Sequence, residues 1–192
     1  MKATYPDLFV FDLDGTLIRL NIDFEAVRRA LGLKGRYILE SIFKLPEEER
    51  RRRLELLKRF EIEYAKRAEP MPYAGYVLDL LGDLGIGRCI VTRNCRESVD
   101  IVLERLGFEV DFVVTRDDAK PKPSPEPIKL AIERFGTSPK GTIVVGDYVF
   151  DIVAGKRAGA RTALLLNERN LKFARMADYV LKSLKDVENL LR

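Results

Sequence analysis

Five short, mainly apolar runs punctuate the chain, at residues 8–11, 86–91, 112–115, 142–145 and 162–166. They are rich in Val, Ile, Leu and Phe, which is how strands covered on both faces read. Between most of them, apolar residues recur three and four apart, at residues 73–84, 95–106, 126–135 and 152–158. That is the spacing of amphipathic helices. Strand alternating with helix predicts an α/β fold built on a parallel sheet. Tyr179-Val180-Leu181 adds a candidate edge strand, and residues 187–191 a terminal helix.

Residues 19–71 break this rhythm. They carry no strand pattern and read as helices at 24–31, 36–44 and 47–68, closed by Pro70 and Pro72 around Met71. A helical insertion of roughly 50 residues is too small to stand alone, so it should lean on the α/β core. The expected organisation is a core of residues 1–18 and 72–192 and a helical lobe of residues 19–71. Within that lobe, Glu47-Glu48-Glu49-Arg50-Arg51-Arg52-Arg53 is the one biased run. On a helix Glu47 faces Arg51, Glu48 faces Arg52 and Glu49 faces Arg53, so the run reads as a self-paired, solvated face. Leu54, Leu57, Phe60, Tyr64 and Ala68 form the apolar stripe of the same helix.

Composition then narrows the chemistry. The 192 residues include no His, Gln or Trp. Without His there is no Ser-His-Asp or Cys-His catalysis and no His-ligated zinc. Cys89 and Cys95 are too few for a disulfide framework or a four-ligand zinc site. Catalysis must run on carboxylates, Lys, Arg, hydroxyls and backbone amides. A net charge of +4 is far from a nucleic-acid-binding extreme and suits anionic small molecules as well as it suits RNA. No apolar run approaches the roughly 20 residues of a membrane span. The stretch at residues 8–11 is too short for a signal peptide. A cytoplasmic protein with no membrane or nucleic-acid partner is expected, monomer and homodimer both remaining open. Abundant charge with no Gln is the composition of a thermophilic source.

Four constellations fall where a strand ends, the edge at which open α/β sheets bind ligands. Asp12-Leu13-Asp14-Gly15-Thr16 follows the first run. Two acids this close call for a cation between them, and magnesium is the hard, oxygen-seeking choice. Thr92-Arg93-Asn94 follows the second run, offering a hydroxyl and amides to an anion. There Asn94 is placed to cap a helix, with Glu97 at the capping-box position. Cys95 sits at the same helix start, a position that lowers a thiol pKa, yet without a partner base it reads as an ordinary thiol. Lys120-Pro121-Lys122-Pro123 is a stiff loop that fixes where a lysine points. Gly146-Asp147 ends the fourth run, and Asp151 follows on a helix start, where it can orient Asp147, join a metal site or cap the helix.

The order and spacing of these motifs resemble the haloacid dehalogenase superfamily, in particular its phosphatase branch and the phosphoglycolate-phosphatase-like members. The likeness covers residues 1–181. It implies a doubly wound, Rossmann-like parallel sheet with a small all-helical cap inserted at residues 19–71. It also implies a magnesium-dependent phosphatase acting on small phosphorylated metabolites. Asp12 would be the nucleophile, forming an aspartyl-phosphate, and Asp14 the acid and base. Thr92 and Lys122 would hold the phosphoryl group, helped by amides near Leu13 and Arg93. Magnesium would be held by Asp12, the Asp14 carbonyl and Asp147, supported by Asp151. Lys122 rather than Lys120 matches the family's Lys-Pro-x-Pro stretch. Asp14 argues against dehalogenase activity. The Asp-Ser pair common after the first motif is replaced by Ile18-Arg19-Leu20-Asn21, which leaves the substrate open. Arg19, Arg28, Arg29 and Arg93 are candidates to meet a substrate acid group. A phosphomutase, and a phosphate-binding protein without turnover, are the alternatives.

Overall fold

The computed structural model describes residues 6–19 and 21–191; residues 1–5 and 192 of the expected core segments, and Leu20, lie outside them. The chain runs β1 (Leu8–Phe11), α1 (Phe24–Ala30), α2 (Ile38–Phe43), α3 (Glu47–Ala65) and α4 (Ala74–Asp83). It continues through β2 (Gly87–Val91), α5 (Arg96–Leu106), β3 (Phe112–Val114) and α6 (Glu126–Phe135). It closes with β4 (Thr142–Gly146), α7 (Val149–Ala158), β5 (Arg161–Leu165) and β6 (Tyr179–Leu181). The expected terminal helix is a 3₁₀ stretch, Leu184–Leu191, and a second one, Leu171–Met176, carries no sequence signal that was read.

The strands form one six-stranded sheet in the order β3-β2-β1-β4-β5-β6, every neighbour parallel. This is the doubly wound α/β fold. Alternation along β1 explains its two layers. Phe9 and Phe11 meet α4, α5 and the Leu184–Leu191 stretch, whereas Leu8 and Val10 meet α6 and α7. Cys89 is a fully buried small residue in the second layer, as its strand position suggests. Chain order reverses on either side of β1, so the carboxyl ends of β1 and β4 form the switch-point crevice where ligands bind.

α1, α2 and α3 gather around a small core of their own, Val27, Leu31, Leu39, Ile42 and Leu57. This segment leaves and rejoins the sheet at one place. Ile18 pairs antiparallel with Pro70, the Arg19 amide donates to the Glu69 carbonyl and the Met71 amide to that of Leu17, both at 2.9 Å. α3 stops at Ala65 rather than running to residue 68. There Arg67 and Ala68 donate to carbonyls three residues back, tightening the last turn. Of the three expected charge pairs, Glu48–Arg52 (2.5 Å) and Glu49–Arg53 (2.6 Å) form; Glu47–Arg51 is not among the ion pairs of the described residues. No helix among the described residues is long and apolar enough to cross a membrane.

Candidate active site

All four motifs meet at the carboxyl edge of the sheet. Asp12 is the first residue past β1, its amide donating to the Val145 carbonyl at 2.9 Å. Thr92 follows β2, Asp147 follows β4 and Asp151 lies in the first turn of α7. Two glycines make the convergence possible. Gly15 has φ +82°, a left-handed turn, and a Cβ there would lie 2.7 Å from the Asp147 Cγ. A Cβ on Gly146 would overlap the Asp151 carboxylate.

Lys122 organises the acids. Its buried ammonium donates to Asp12 Oδ1 at 2.7 Å, to Asp151 Oδ1 at 2.6 Å and to the Val91 carbonyl at 2.7 Å. Lys120, in contrast, is exposed. Burial pulls the Lys122 pKa down, but the Asp12 and Asp151 carboxylates more than reverse that and leave it raised. Asp151 also caps α7, its Oδ2 accepting from the Tyr148 amide at 3.1 Å, so it both orders the helix start and faces the site. Carboxylate oxygens of Asp12, Asp147 and Asp151 lie within 4.8 Å of one another. Burial, then the charges of Asp12 and Asp151, push Asp147 up to about 8. Burial and Asp12 bring Asp151 to about 6 against the pull of Lys122. An all-oxygen donor set whose acids repel one another fits a hard divalent cation.

The Asp14 side chain stands apart from that cluster. Its Oδ2 accepts from Asn94 Nδ2 at 2.6 Å. Burial first, then the neighbouring Asp12 charge, raise it to about 7. It opens onto a cavity of about 260 Å³ between α3 and α5, whose lining includes Arg19, Glu61, Tyr64 and Arg67. A larger open depression of about 780 Å³, near Asp7, Lys140 and Arg161, lies at the opposite sheet edge and contains no motif residue.

The second motif departs from the expected local pattern. Asn94 does not cap α5. Cys95 is the capping position and Asn94 is committed to Asp14, while Glu97 pairs with Lys58 of α3 at 2.5 Å. The Cys95 thiol is not lowered by its helix start: burial raises it and the Glu61 charge adds to that. Thr92 is buried and its hydroxyl accepts from the Asn94 amide at 3.2 Å. Leu13 is a buried core residue whose carbonyl accepts from Leu17 and Ile18. Among the candidate arginines, Arg19 pairs with Glu69 at 3.5 Å, Arg28 donates to the Arg36 carbonyl, and Arg29 is exposed. Arg19 also lines the cavity beside Asp14, and Arg93 donates to the Lys122 carbonyl.

Several partners went unread in the sequence. Asn170 donates to the carbonyls of Asp147 and Leu165, both at 2.8 Å, and Asn167 donates to Asp147 Oδ2 at 3.2 Å. Glu61, buried on α3, binds the buried Arg116 guanidinium and accepts from the Cys95 amide at 3.1 Å. Arg116 also donates to the Arg93 carbonyl, so this pair braces the second-motif loop.

A family model described as haloacid dehalogenase-like hydrolase matches residues 19–165, most of the chain. The chain belongs to the haloacid dehalogenase-like hydrolases. The hydrolase is 31% identical to a phosphoglycolate phosphatase of Aquifex aeolicus, over 83% of this chain and 84% of that protein. It is 29% identical to the pyrophosphatase PpaX of Oceanobacillus iheyensis, over 93% of each. A HAD phosphatase structure from Thermococcus onnurineus shares the fold with a TM-score of 0.71, over 96% of this hydrolase and 97% of that chain, at 21% identity.

Proposed function

We propose that this hydrolase is a magnesium-dependent phosphatase of small phosphomonoesters that works through an aspartyl-phosphate on Asp12. The observation that carries the reading is the buried Lys122 ammonium seated between Asp12 and Asp151, beside Asp147. A lysine there holds the acids in place and offsets their charge as a phosphoryl group approaches. Asp12, Asp147 and Asp151, with the Asp14 carbonyl, would hold the cation. When bound, a divalent cation supplies charge that screens the carboxylates from an anionic substrate.

Asp12 would attack phosphorus while the bond to the ester oxygen breaks, and Asp14 would give that oxygen its proton. Water would then attack the acyl phosphate, passing its proton to Asp14 and freeing Asp12 with inorganic phosphate. Thr92, Lys122 and the amides near Leu13 and Arg93 would hold the phosphoryl oxygens. The names of the relatives, which specify pyrophosphate and phosphoglycolate, support compact phosphorylated substrates. Residues 19–71 would serve as the cap over a core of residues 1–18 and 72–192.

The test is hydrolysis of p-nitrophenyl phosphate with magnesium and with EDTA, beside Asp12→Asn. Turnover should require magnesium and vanish in the variant at an unchanged melting temperature. Turnover retained by Asp12→Asn would remove the nucleophile assignment.

A further inference from the structure

Arg93 follows the phosphate-site Thr92, and its guanidinium is held by three partners. It stacks over the Phe150 ring at 4.9 Å and donates to the Lys122 carbonyl. Its remaining fork grips Glu40 of α2: Nη1 to Oε1 and Nη2 to Oε2, both at 2.9 Å. The first two holds come from the sheet-borne core and the third from the helical insertion. Around this fork the insertion touches the core through polar and aromatic groups. Tyr37 lies on Phe150 at 5.0 Å and its hydroxyl meets that of Tyr148 at 3.3 Å. The two fork side chains keep 23% and 37% of their surface exposed, so neither is locked away from solvent.

A guanidinium presents the same fork to a carboxylate and to a phosphate. An arginine fixed from the core side and closed by a carboxylate from a separate lobe is therefore an anion site with an internal occupant. We infer that Arg93 is the subsite for a second anionic group of the substrate and that Glu40 fills it when no such group is present. The inference rests on the phosphatase reading of the neighbouring site. Such a subsite would take phosphorylated compounds with a carboxylate or second phosphate near the reacting phosphorus, the class to which the relatives' names also point. The occupant lowers apparent affinity by the fraction of time it is in place, so its removal should strengthen binding of second-anion ligands selectively.

The test compares phosphonoacetate with methylphosphonate, which share a non-hydrolysable phosphorus group and differ by one carboxylate. Binding is measured by calorimetry in magnesium for wild type, Glu40→Gln, Arg93→Met and Arg93→Lys, each checked for an intact thermal transition. Phosphonoacetate should bind about tenfold more tightly than methylphosphonate in wild type, the advantage of one charge-assisted fork. Glu40→Gln should widen that ratio, Arg93→Met should bring it to about one, and Arg93→Lys should fall between, since ammonium lacks the fork. A ratio that stays the same in all four proteins, or that narrows in Glu40→Gln, overturns the assignment and makes the fork a plain interlobe tie. Turnover of p-nitrophenyl phosphate by wild type separates the two readings. A flat ratio with turnover removes the Arg93 subsite alone. The expected ratios without turnover of any ester remove the phosphatase and keep the anion site.

Discussion

Replacing Glu61 by Leu should be the most damaging single change on the insertion. Glu61 and Arg116 form an ion pair with side-chain exposures of 8% and 5%. Leu keeps the bulk but leaves the guanidinium buried without its counter-charge and the Cys95 amide without its acceptor. Breaking a buried pair from one side costs about 3–5 kcal/mol. At about 2–4 °C per kcal/mol for a chain of this size, Tm should fall by roughly 6–20 °C. The Glu48–Arg52 pair on the same helix is the control. Both its side chains are 68% exposed, so Glu48→Ala should cost about 0.5 kcal/mol or less. Removing both buried charges, in Glu61→Leu with Arg116→Leu, should recover at least about 2 kcal/mol of the single-variant loss, because no lone charge remains. Urea unfolding of the four proteins at one pH measures all of this. If Glu61→Leu unfolds within about 1 kcal/mol of wild type, or the double variant is worse than the single, burial is not what sets the strength of this pair.

Gly15→Ala should lose about 1–2 kcal/mol from its left-handed backbone and lower turnover by about a hundredfold, because the added methyl displaces Asp147; stability and kcat measured together separate the two effects. Both thiols should resist a disulfide reagent at pH 8 in the native protein and react at once when unfolded, since burial raises Cys89 and Cys95 and suppresses the thiolate. Rapid native labelling would contradict this. Asp118 should matter to stability only above its titration. Burial pushes its carboxyl up, but the Thr115 amide and hydroxyl and Arg96 pull it further down, so its folded pKa lies below the usual aspartate range. Its contribution is therefore present at neutral pH and lost as pH falls through that depressed pKa. Asp118→Asn should be the less stable protein at pH 7 and converge with wild type in acid, by urea midpoints.

The parallel sheet was legible because strands covered on both faces leave apolar runs, and the motif acids because each ends such a run. Lys122 could be chosen over Lys120 only through resemblance; in the fold, one is buried among acids and the other exposed. The long-range partners around the site, two of which tie the insertion to the core, were not legible. Asn94 meets Asp14 across 80 residues, Arg116 meets Glu61 across 55 and Arg93 meets Glu40 across 53. No local period encodes such pairings. Glu61 did leave a trace: it sits four residues after Leu57, in the apolar stripe of α3, where a charge needs a buried partner. Asn94 was misread because a residue suited to capping can equally serve a distant carboxylate, and tertiary geometry chose the second.

The antiparallel stitch between Ile18 and Pro70 reaches beyond the placing of three helices. Because the two ends of the excursion are already fastened side by side, its closure is settled by the scaffold and not by its contents. Doubling such a loop adds only about 0.6 kcal/mol of closure entropy. The scaffold can thus exchange this segment for one of another length or shape while Asp12 and Lys122 stay where they are. Residues 18 and 70 are therefore the natural junctions for chimaeras that exchange this segment.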